Sequence, residues 1–278
     1  MRIGVRCHDV IHNNLEDLGE KIKEKNLKSV HFALKKVKIG VEITKGIITP
    51  GMARYVRDIF LKYDINISIL GCYINLANPD DDELNKLLDL FKEHIRFARD
   101  FGCGIVGTET GALNKEYVYT PKNNTEEAFQ RTLSSIKILV AEAEKFGVIV
   151  GIEGVAKHII NTPERIKRVL DNVKSNNVQV IFDPVNLIDE SNYEEQDDLI
   201  RKSFELFGDR IVVIHAKDFI YEDGKIKLAT IGKGQFNYPL LLSLIKLKKP
   251  YIEVLLENTT IEDIDESIKY LTDIYNDQ

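Results

Sequence analysis

Short runs of β-branched residues alternate with longer amphipathic runs along the whole chain, and this alternation constrains the fold more than any other feature. Strict alternation of strands and helices requires parallel strands joined by crossover helices. Eight such units within 278 residues predict a closed (β/α)8 TIM barrel, a fold that typically takes about 250 residues. The predicted strands are Arg2–Cys7, Ser29–Ala33, Asn66–Gly71, Gly104–Thr108, Val148–Glu153, Val178–Asp183, Ile211–His215 and Ile252–Glu257.

The main structural alternative is a doubly wound open sheet. Such a sheet normally carries a glycine-rich phosphate-binding turn after its first strand, and the segment Gly4–Asp9 is not one. No linker or break in composition interrupts the chain, so we predict a single domain over residues 1–278. Long irregular stretches follow the predicted strands, among them Phe219–Asn237. In a barrel, these stretches would lie on the catalytic face.

Composition narrows the class of protein. Hydrophobic residues make up 44% of the chain, which is enough to build a core and excludes a disordered chain. No apolar run reaches the roughly 18–20 residues of a membrane span, and the N-terminus lacks the pattern of a signal peptide. Three cysteines are too few for a disulfide framework, so we expect a reducing cytoplasm. The net charge of -6 gives no electrostatic support for non-specific nucleic-acid binding, and a homo-oligomer is an open possibility.

Four consecutive predicted strands end in a possible metal ligand. The residues are Glu153, Asp183, His215 and Glu257, each one strand–helix unit after the last. Acidic residues and histidine are uncommon in buried parallel strands. One charged residue at a strand end is commonly the start of a solvated loop, but four in neighbouring units of a barrel indicate a shared site. This ligand set suits one divalent metal ion, Mn, Co, Mg or Zn, without choosing among them.

The segments around these residues resemble the xylose-isomerase-like barrels, which include sugar epimerases, isomerases, inosose dehydratases and the endonuclease IV group. The resemblance covers nearly the whole chain. It is carried by GIEG at Glu153, FDPVN at Asp183, IHAKD at His215, LLEN at Glu257, and by the segments GCYINL (71–76) and GKGQFNY (232–238). It implies that the four residues bind one metal and that Glu153 and Glu257 also move protons.

The chemistry that the resemblance implies explains these residue types. A metal polarises the carbonyl of a ketose and acidifies the neighbouring C–H bond. One carboxylate removes that proton to give a cis-enediolate, and a carboxylate returns a proton. We therefore expect a metal-dependent sugar, sugar-phosphate or keto-inositol isomerase or epimerase, with Glu153 and Glu257 as catalytic groups.

Further polar residues near predicted strand ends are candidate substrate contacts. His158 occupies a position where relatives carry a polar substrate contact, and Asn186 matches the position of a second ligand in endonuclease IV relatives. The remaining candidates are Glu109, His8 and Tyr73. His31, inside the second strand, is predicted to be a core histidine.

Three other functions remain open at this stage. An inosose-type dehydratase would use the same metal site. An endonuclease IV-like phosphodiesterase would need several more histidines than the six in the chain, and a more basic surface. A barrel that binds a sugar without turnover is the third, and an intact ligand set argues against it.

Overall fold

The computed structural model describes residues 1–277; Gln278, the last residue of the predicted domain, lies outside the described residues. The predicted TIM barrel is confirmed by eight parallel strands that close on one another. The barrel strands are β1 (Arg2–Arg6), β2 (Ser29–Ala33), β3 (Asn66–Gly71), β4 (Ile105–Glu109), β5 (Ile149–Glu153), β6 (Val178–Phe182), β7 (Ile211–Ala216) and β10 (Glu253–Leu256), with β8 and β9 in a separate hairpin. Around the barrel the order is β1-β10-β7-β6-β5-β4-β3-β2.

Residues 1–277 form eight α-helices, of which seven connect strands and the eighth follows the last strand. Thr49 and Thr162 cap the second and fifth of them by accepting hydrogen bonds from Met52 and Arg165, as the Thr-Pro pairs predict. The helices are α1 (Leu15–Glu24), α2 (Pro50–Lys62), α3 (Asp81–Phe97), α4 (Glu126–Phe146), α5 (Pro163–Val173), α6 (Gln196–Phe207), α7 (Tyr238–Lys248) and α8 (Ile264–Asp277). Within residues 1–277, no helix is both long and apolar enough to cross a membrane.

A small apolar cluster fills the barrel interior below the strand ends. It contains Ile69, Ile181, Val213 and Leu255, all buried. Successive side chains of a strand point to opposite faces, so residues two positions further along face the same way. The alternation therefore places Asp183, His215 and Glu257 directly above this apolar cluster, at the carboxyl ends of their strands.

The sequence analysis expected the segment Phe219–Asn237 to be irregular, but part of it is regular. It contains an antiparallel hairpin of β8 (Asp218–Glu222) and β9 (Lys225–Ala229). Its two-residue turn is Asp223-Gly224, with φ of 52° and 75°. Asp-Gly is a strong signal for a two-residue turn with positive φ, and it correctly marks this hairpin.

Candidate functional site

The structure brings the four predicted ligands together at the carboxyl end of the barrel. Glu153, Asp183, His215 and Glu257 are at most 3% exposed. Glu153 is the last residue of β5, whereas Asp183 and Glu257 each come one residue after their strands end. The strand end thus fixes each backbone, and the side chain extends into the space above the apolar cluster.

The two glutamates approach His215 from opposite sides, Glu257 from β10 next to β7 and Glu153 from β5, two strands away. Oε1 of Glu153 lies 3.3 Å from Nδ1 of His215, and Oε1 of Glu257 lies 3.1 Å from the same nitrogen. Among the described residues, Nε2 of His215 has no polar partner, whereas Nδ1 of His215 and Oδ2 of Asp183 have ion-pair contacts but no hydrogen bond. Buried polar atoms are rarely left unsatisfied, so these atoms mark a site that takes a ligand.

Two cations reach the same carboxylates, and the sequence analysis did not place either of them in the site. Nζ of Lys217 lies 3.0 Å from Oδ2 of Asp183 and 2.8 Å from Oε2 of Glu257. Arg6, at the end of β1, donates from its terminal nitrogen to the same Oε2 of Glu257 at 2.8 Å. The IHAKD segment could have placed Lys217 in the site. Lys217 lies two residues after His215, and alternate residues along a strand point to the same face.

The charges of the site shift the pKa values of its members. Burial alone would lower the pKa of His215, but the carboxylates of Glu257 and Glu153 outweigh it and raise the pKa to about 9. Burial would raise the pKa of Glu257, yet His215, Lys217 and Arg6 hold it well below the usual range. Burial raises the pKa of Asp183, although Lys217 opposes the effect.

His31 belongs to the site rather than to the core alone, which corrects the prediction. Its ring stacks on that of His215 with 5.1 Å between centroids and an interplanar angle of 7°. Its Nδ1 lies 3.7 Å from Oε1 of Glu257, and its Nε2 is 3.2 Å from the hydroxyl of Tyr73. The inward direction of alternate residues on β2 was the signal that could have placed it there.

The five candidate substrate contacts are all partly exposed, unlike the four buried ligands. Asn186 joins the two groups: its amide donates to Oε1 of Glu153 at 2.7 Å, and its Oδ1 accepts from Lys217 at 2.9 Å. It also lines a cavity of about 210 Å³ whose far wall includes Ile226 and Leu228 of the β8–β9 hairpin. His8 lies in a 3-10 turn after β1, with its ring 6.1 Å from that of His31.

Glu109 and His158 form a second group with Tyr117, a residue that the sequence analysis missed. The Tyr117 hydroxyl donates to Oε2 of Glu109 at 3.2 Å, and Nδ1 of His158 lies 3.7 Å from the same oxygen. The rings of Tyr117 and His158 stack at 5.1 Å. Tyr117 has φ of 58°, a strained conformation for an aromatic residue. Burial, and then the charge of Glu153, raise the pKa of Glu109 to about 7.

Asp218 orders the loop that follows the β8–β9 hairpin. Its carboxylate accepts backbone N–H groups from Phe219, Gly232, Gly234 and Phe236 at 2.8–3.1 Å. A Cβ at Gly234 would lie 2.1 Å from this carboxylate, so only glycine fits there. Tyr238, which begins α7, donates its hydroxyl to the backbone oxygen of Lys217 at 2.7 Å. The GKGQFNY segment therefore supports the backbone between His215 and the hairpin.

Asp218→Ala is expected to lower the free energy of unfolding by about 3–5 kcal/mol, because four backbone donors lose a charged acceptor. Chemical denaturation measures the change. Glu222→Ala, at an exposed position of the same hairpin, is the matched control and should change stability by no more than about 0.5 kcal/mol. Equal losses in the two variants would contradict the anchoring role of Asp218.

The donor set fits a divalent cation. Single ligand atoms of Glu153, Asp183 and His215 lie within 4.8 Å of one another, and the same holds for His31, His215 and Glu257. The unsatisfied atoms of His215 and Asp183 belong to these groups. Carboxylate oxygens with one imidazole nitrogen are ligands that Mn, Co, Mg and Zn accept.

Solved structures of similar fold include several sugar-converting proteins. A D-tagatose 3-epimerase-like protein is 20% identical, covers 100% of this chain and 99% of its own, and has a TM-score of 0.79. The IOLI protein with a bound zinc atom is 17% identical over 100% of this chain and 99% of its own, with a TM-score of 0.77. The 3-keto-D-glucoside 4-epimerase YcjR from E. coli is 14% identical, with coverage of 98% and 99% and a TM-score of 0.76.

At these identities the likeness to solved structures establishes the fold. No curated protein sequence matches the chain. The model of the family described as "Xylose isomerase-like TIM barrel" matches residues 41–274, which include all four predicted ligands. The chain belongs to the xylose isomerase-like TIM barrel family.

Proposed function

We propose that this protein is a metal-dependent isomerase or epimerase of a sugar, a sugar phosphate or a keto-inositol, and that it works through a cis-enediolate. The observation that carries the proposal is the approach of two carboxylates to one point: Glu153 and Glu257 both lie within 3.3 Å of the same nitrogen of His215. Two opposed carboxylates can serve both faces of a planar enediolate, which epimerisation requires. The similar structures, by name one epimerase, one epimerase-like protein and one protein with bound zinc, support the same class of reaction.

The metal centre would consist of Glu153, Asp183, His215 and Glu257. One bound Mn, Co, Mg or Zn ion would act as a Lewis acid toward the substrate carbonyl. Asp183 is held for this role by the backbone N–H of Asn186, which donates to its Oδ1 at 3.0 Å. His215 is held by the stacked ring of His31.

The two glutamates carry out the proton transfers. Burial opposes ionisation of Glu153, but the neighbouring His215 outweighs it and lowers the pKa of this carboxyl, so Glu153 is present as the carboxylate that can take a proton from the carbon next to the carbonyl. Glu257 lies between Arg6 and Lys217, which orient its carboxylate on the opposite side. In the epimerase reaction Glu257 passes to the other face a proton that it takes from solvent, and Glu153 releases to solvent the proton that it removed, so that both carboxylates end the cycle ionised.

A substrate screen tests this function. Purified protein is supplied with Mn²⁺, then incubated in D₂O with ketoses, keto-inositols and their phosphates, and the products are followed by NMR. An isomerase or epimerase should place deuterium at the carbon next to the carbonyl, or transfer hydrogen between the two carbons. Turnover that neither exchanges nor moves this hydrogen would rule out the enediolate.

One observation favours a second candidate, an inosose-type dehydratase. Glu109 pairs with Glu153 in register on neighbouring strands, and it accepts the hydroxyl of Tyr117. A second proton-bearing group beside the base is what loss of a hydroxyl group requires, because the leaving hydroxyl must be protonated. The same NMR screen separates the two, since a dehydratase yields an unsaturated product.

We place the substrate hydroxyls against the five partly exposed residues, His8, Tyr73, Glu109, His158 and Asn186.

The three cysteines are buried and free, which agrees with a protein of the reducing cytoplasm. The proposal treats residues 1–278 as one domain, because the barrel uses strands from both ends of the chain.

Glu109→Gln is expected to raise KM about tenfold or more while kcat stays within a few-fold, because a charged acceptor of a substrate hydroxyl is lost. Steady-state kinetics on the substrate found in the screen measure both constants. Glu116→Gln, at an exposed position of the same loop, should leave both unchanged. An unchanged KM in Glu109→Gln would remove Glu109 from the substrate contacts.

A further inference from the structure

Lys217 is a buried cation whose two anionic partners both belong to the proposed metal centre. Its side chain is 8% exposed. Nζ lies 3.0 Å from Asp183, 2.8 Å from Glu257 and 2.9 Å from Oδ1 of Asn186. A buried ammonium is rarely found without close anionic partners. Here those partners are two of the four metal ligands.

Arg6 differs from Lys217 in how its charge is used. Its guanidinium also donates to both carboxylate oxygens of Asp9, at 2.9 and 2.8 Å. Asp9 lies outside the ligand set, so part of the charge of Arg6 is balanced there. Lys217 has no such outside partner among residues 1–277. Its charge is therefore balanced by the carboxylates of the centre alone.

The backbone of Lys217 is fixed, and this limits where its ammonium can go. The carbonyl of Lys217 accepts the hydroxyl of Tyr238, a fully buried residue. The next residue, Asp218, is tied to the loop by four backbone hydrogen bonds. A metal ion bound by Asp183 and Glu257 would thus lie within a few ångströms of an ammonium that the same two carboxylates attract, and like charges repel strongly in a buried site.

We propose that Lys217 is the internal counter-cation of the metal centre: it holds Asp183 and Glu257 in ligand geometry and competes with the metal for their charge. The proposal rests on the metal centre of the proposed function. It assigns Lys217 two opposite effects. The side chain stabilises the metal-free centre, because the carboxylates keep a positive partner. It weakens metal binding, because its charge repels the ion.

Lys217→Met tests both effects, since methionine is of similar length and carries no charge. Lys137→Met is the matched control, because Lys137 is an exposed lysine of α4. The probe is Mn²⁺, titrated by calorimetry into protein freed of metal with EDTA, and thermal unfolding is measured in EDTA and in Mn²⁺. Lys217→Gln is measured in parallel in case Lys217→Met does not fold. Glutamine also lacks the charge, but it can keep a hydrogen bond to Asn186.

The expected result has two parts. Lys217→Met should bind Mn²⁺ about tenfold or more tightly than wild type. In EDTA it should also unfold about 5–15 °C lower, a loss that Mn²⁺ largely restores. Lys137→Met should match the wild type in both measurements.

Two different failures can be told apart. If the wild type binds Mn²⁺ and neither Lys217 variant binds it more tightly, Lys217 is not a competitor and the inference is wrong while the metal centre stands. The inference is also wrong if both variants unfold in EDTA at the wild-type temperature. If the wild type binds neither Mn²⁺ nor Zn²⁺, the metal centre itself fails, and the inference fails with it.

Discussion

Glu153→Gln should lower kcat by at least about 10²–10⁴-fold, the range that a general acid–base group contributes, while Mn²⁺ remains bound. Glutamine keeps the shape of the side chain and one oxygen for the metal, but it cannot accept the substrate proton. Glu153 is the cleaner choice of the two glutamates, because changing Glu257 would also break its ion pairs with Arg6 and Lys217. Steady-state turnover and Mn²⁺ affinity are measured on the same preparation.

Glu253→Gln is the matched control for this variant. Glu253 begins β10 at the opposite end of the strand from the site, and its nearest cation, Arg2, is 3.9 Å away. Its substitution should leave kcat and Mn²⁺ affinity unchanged. If Glu153→Gln keeps full activity with metal bound, Glu153 is a structural ligand only, and Glu109 and His158 become the first candidates for the base.

The barrel could be predicted from the sequence because its strands are short, β-branched and regularly spaced. Six of the eight barrel strands differ from the prediction by one residue at one or both ends, and at Asp183 and Glu257 the chain leaves the sheet to present a side chain to the site. The hairpin β8–β9 was missed although its Asp-Gly turn is a known signal. Its strands are short, and β9 is largely exposed, so no hydrophobic run marks it.

The four ligand candidates could be identified because charged residues are unusual at the ends of buried strands. Lys217, Arg6 and His31 could not be assigned in the same way, since each has an ordinary alternative as a loop, surface or core residue. Their place in the site depends on distances across the barrel, such as the contact between Arg6 and Glu257 at opposite ends of the chain. Tyr117 is harder still, because a loop backbone with positive φ turns its side chain toward Glu109.

His215→Ala should remove metal and activity together, unlike Glu153→Gln. His215 supplies the only nitrogen of the four-ligand set, and its ring lies against both glutamates. Residues that only hydrogen-bond to metal ligands typically contribute about 10–100-fold to affinity, so loss of a direct ligand should weaken Mn²⁺ binding by more than about 100-fold. Calorimetry and metal analysis measure the binding, and turnover is assayed with excess Mn²⁺.

Adding imidazole to His215→Ala tests whether the missing ring itself causes the loss. The space left by the His215 side chain is bounded by the ring of His31 and by the two glutamates, a setting that suits a free imidazole molecule. Imidazole should therefore restore part of the metal binding and part of the activity of His215→Ala. His12→Ala is the control, because His12 is buried but belongs to neither metal-capable group among the described residues. If His215→Ala keeps its metal and loses only turnover, His215 acts on the substrate, and the centre must be built from the three carboxylates with His31.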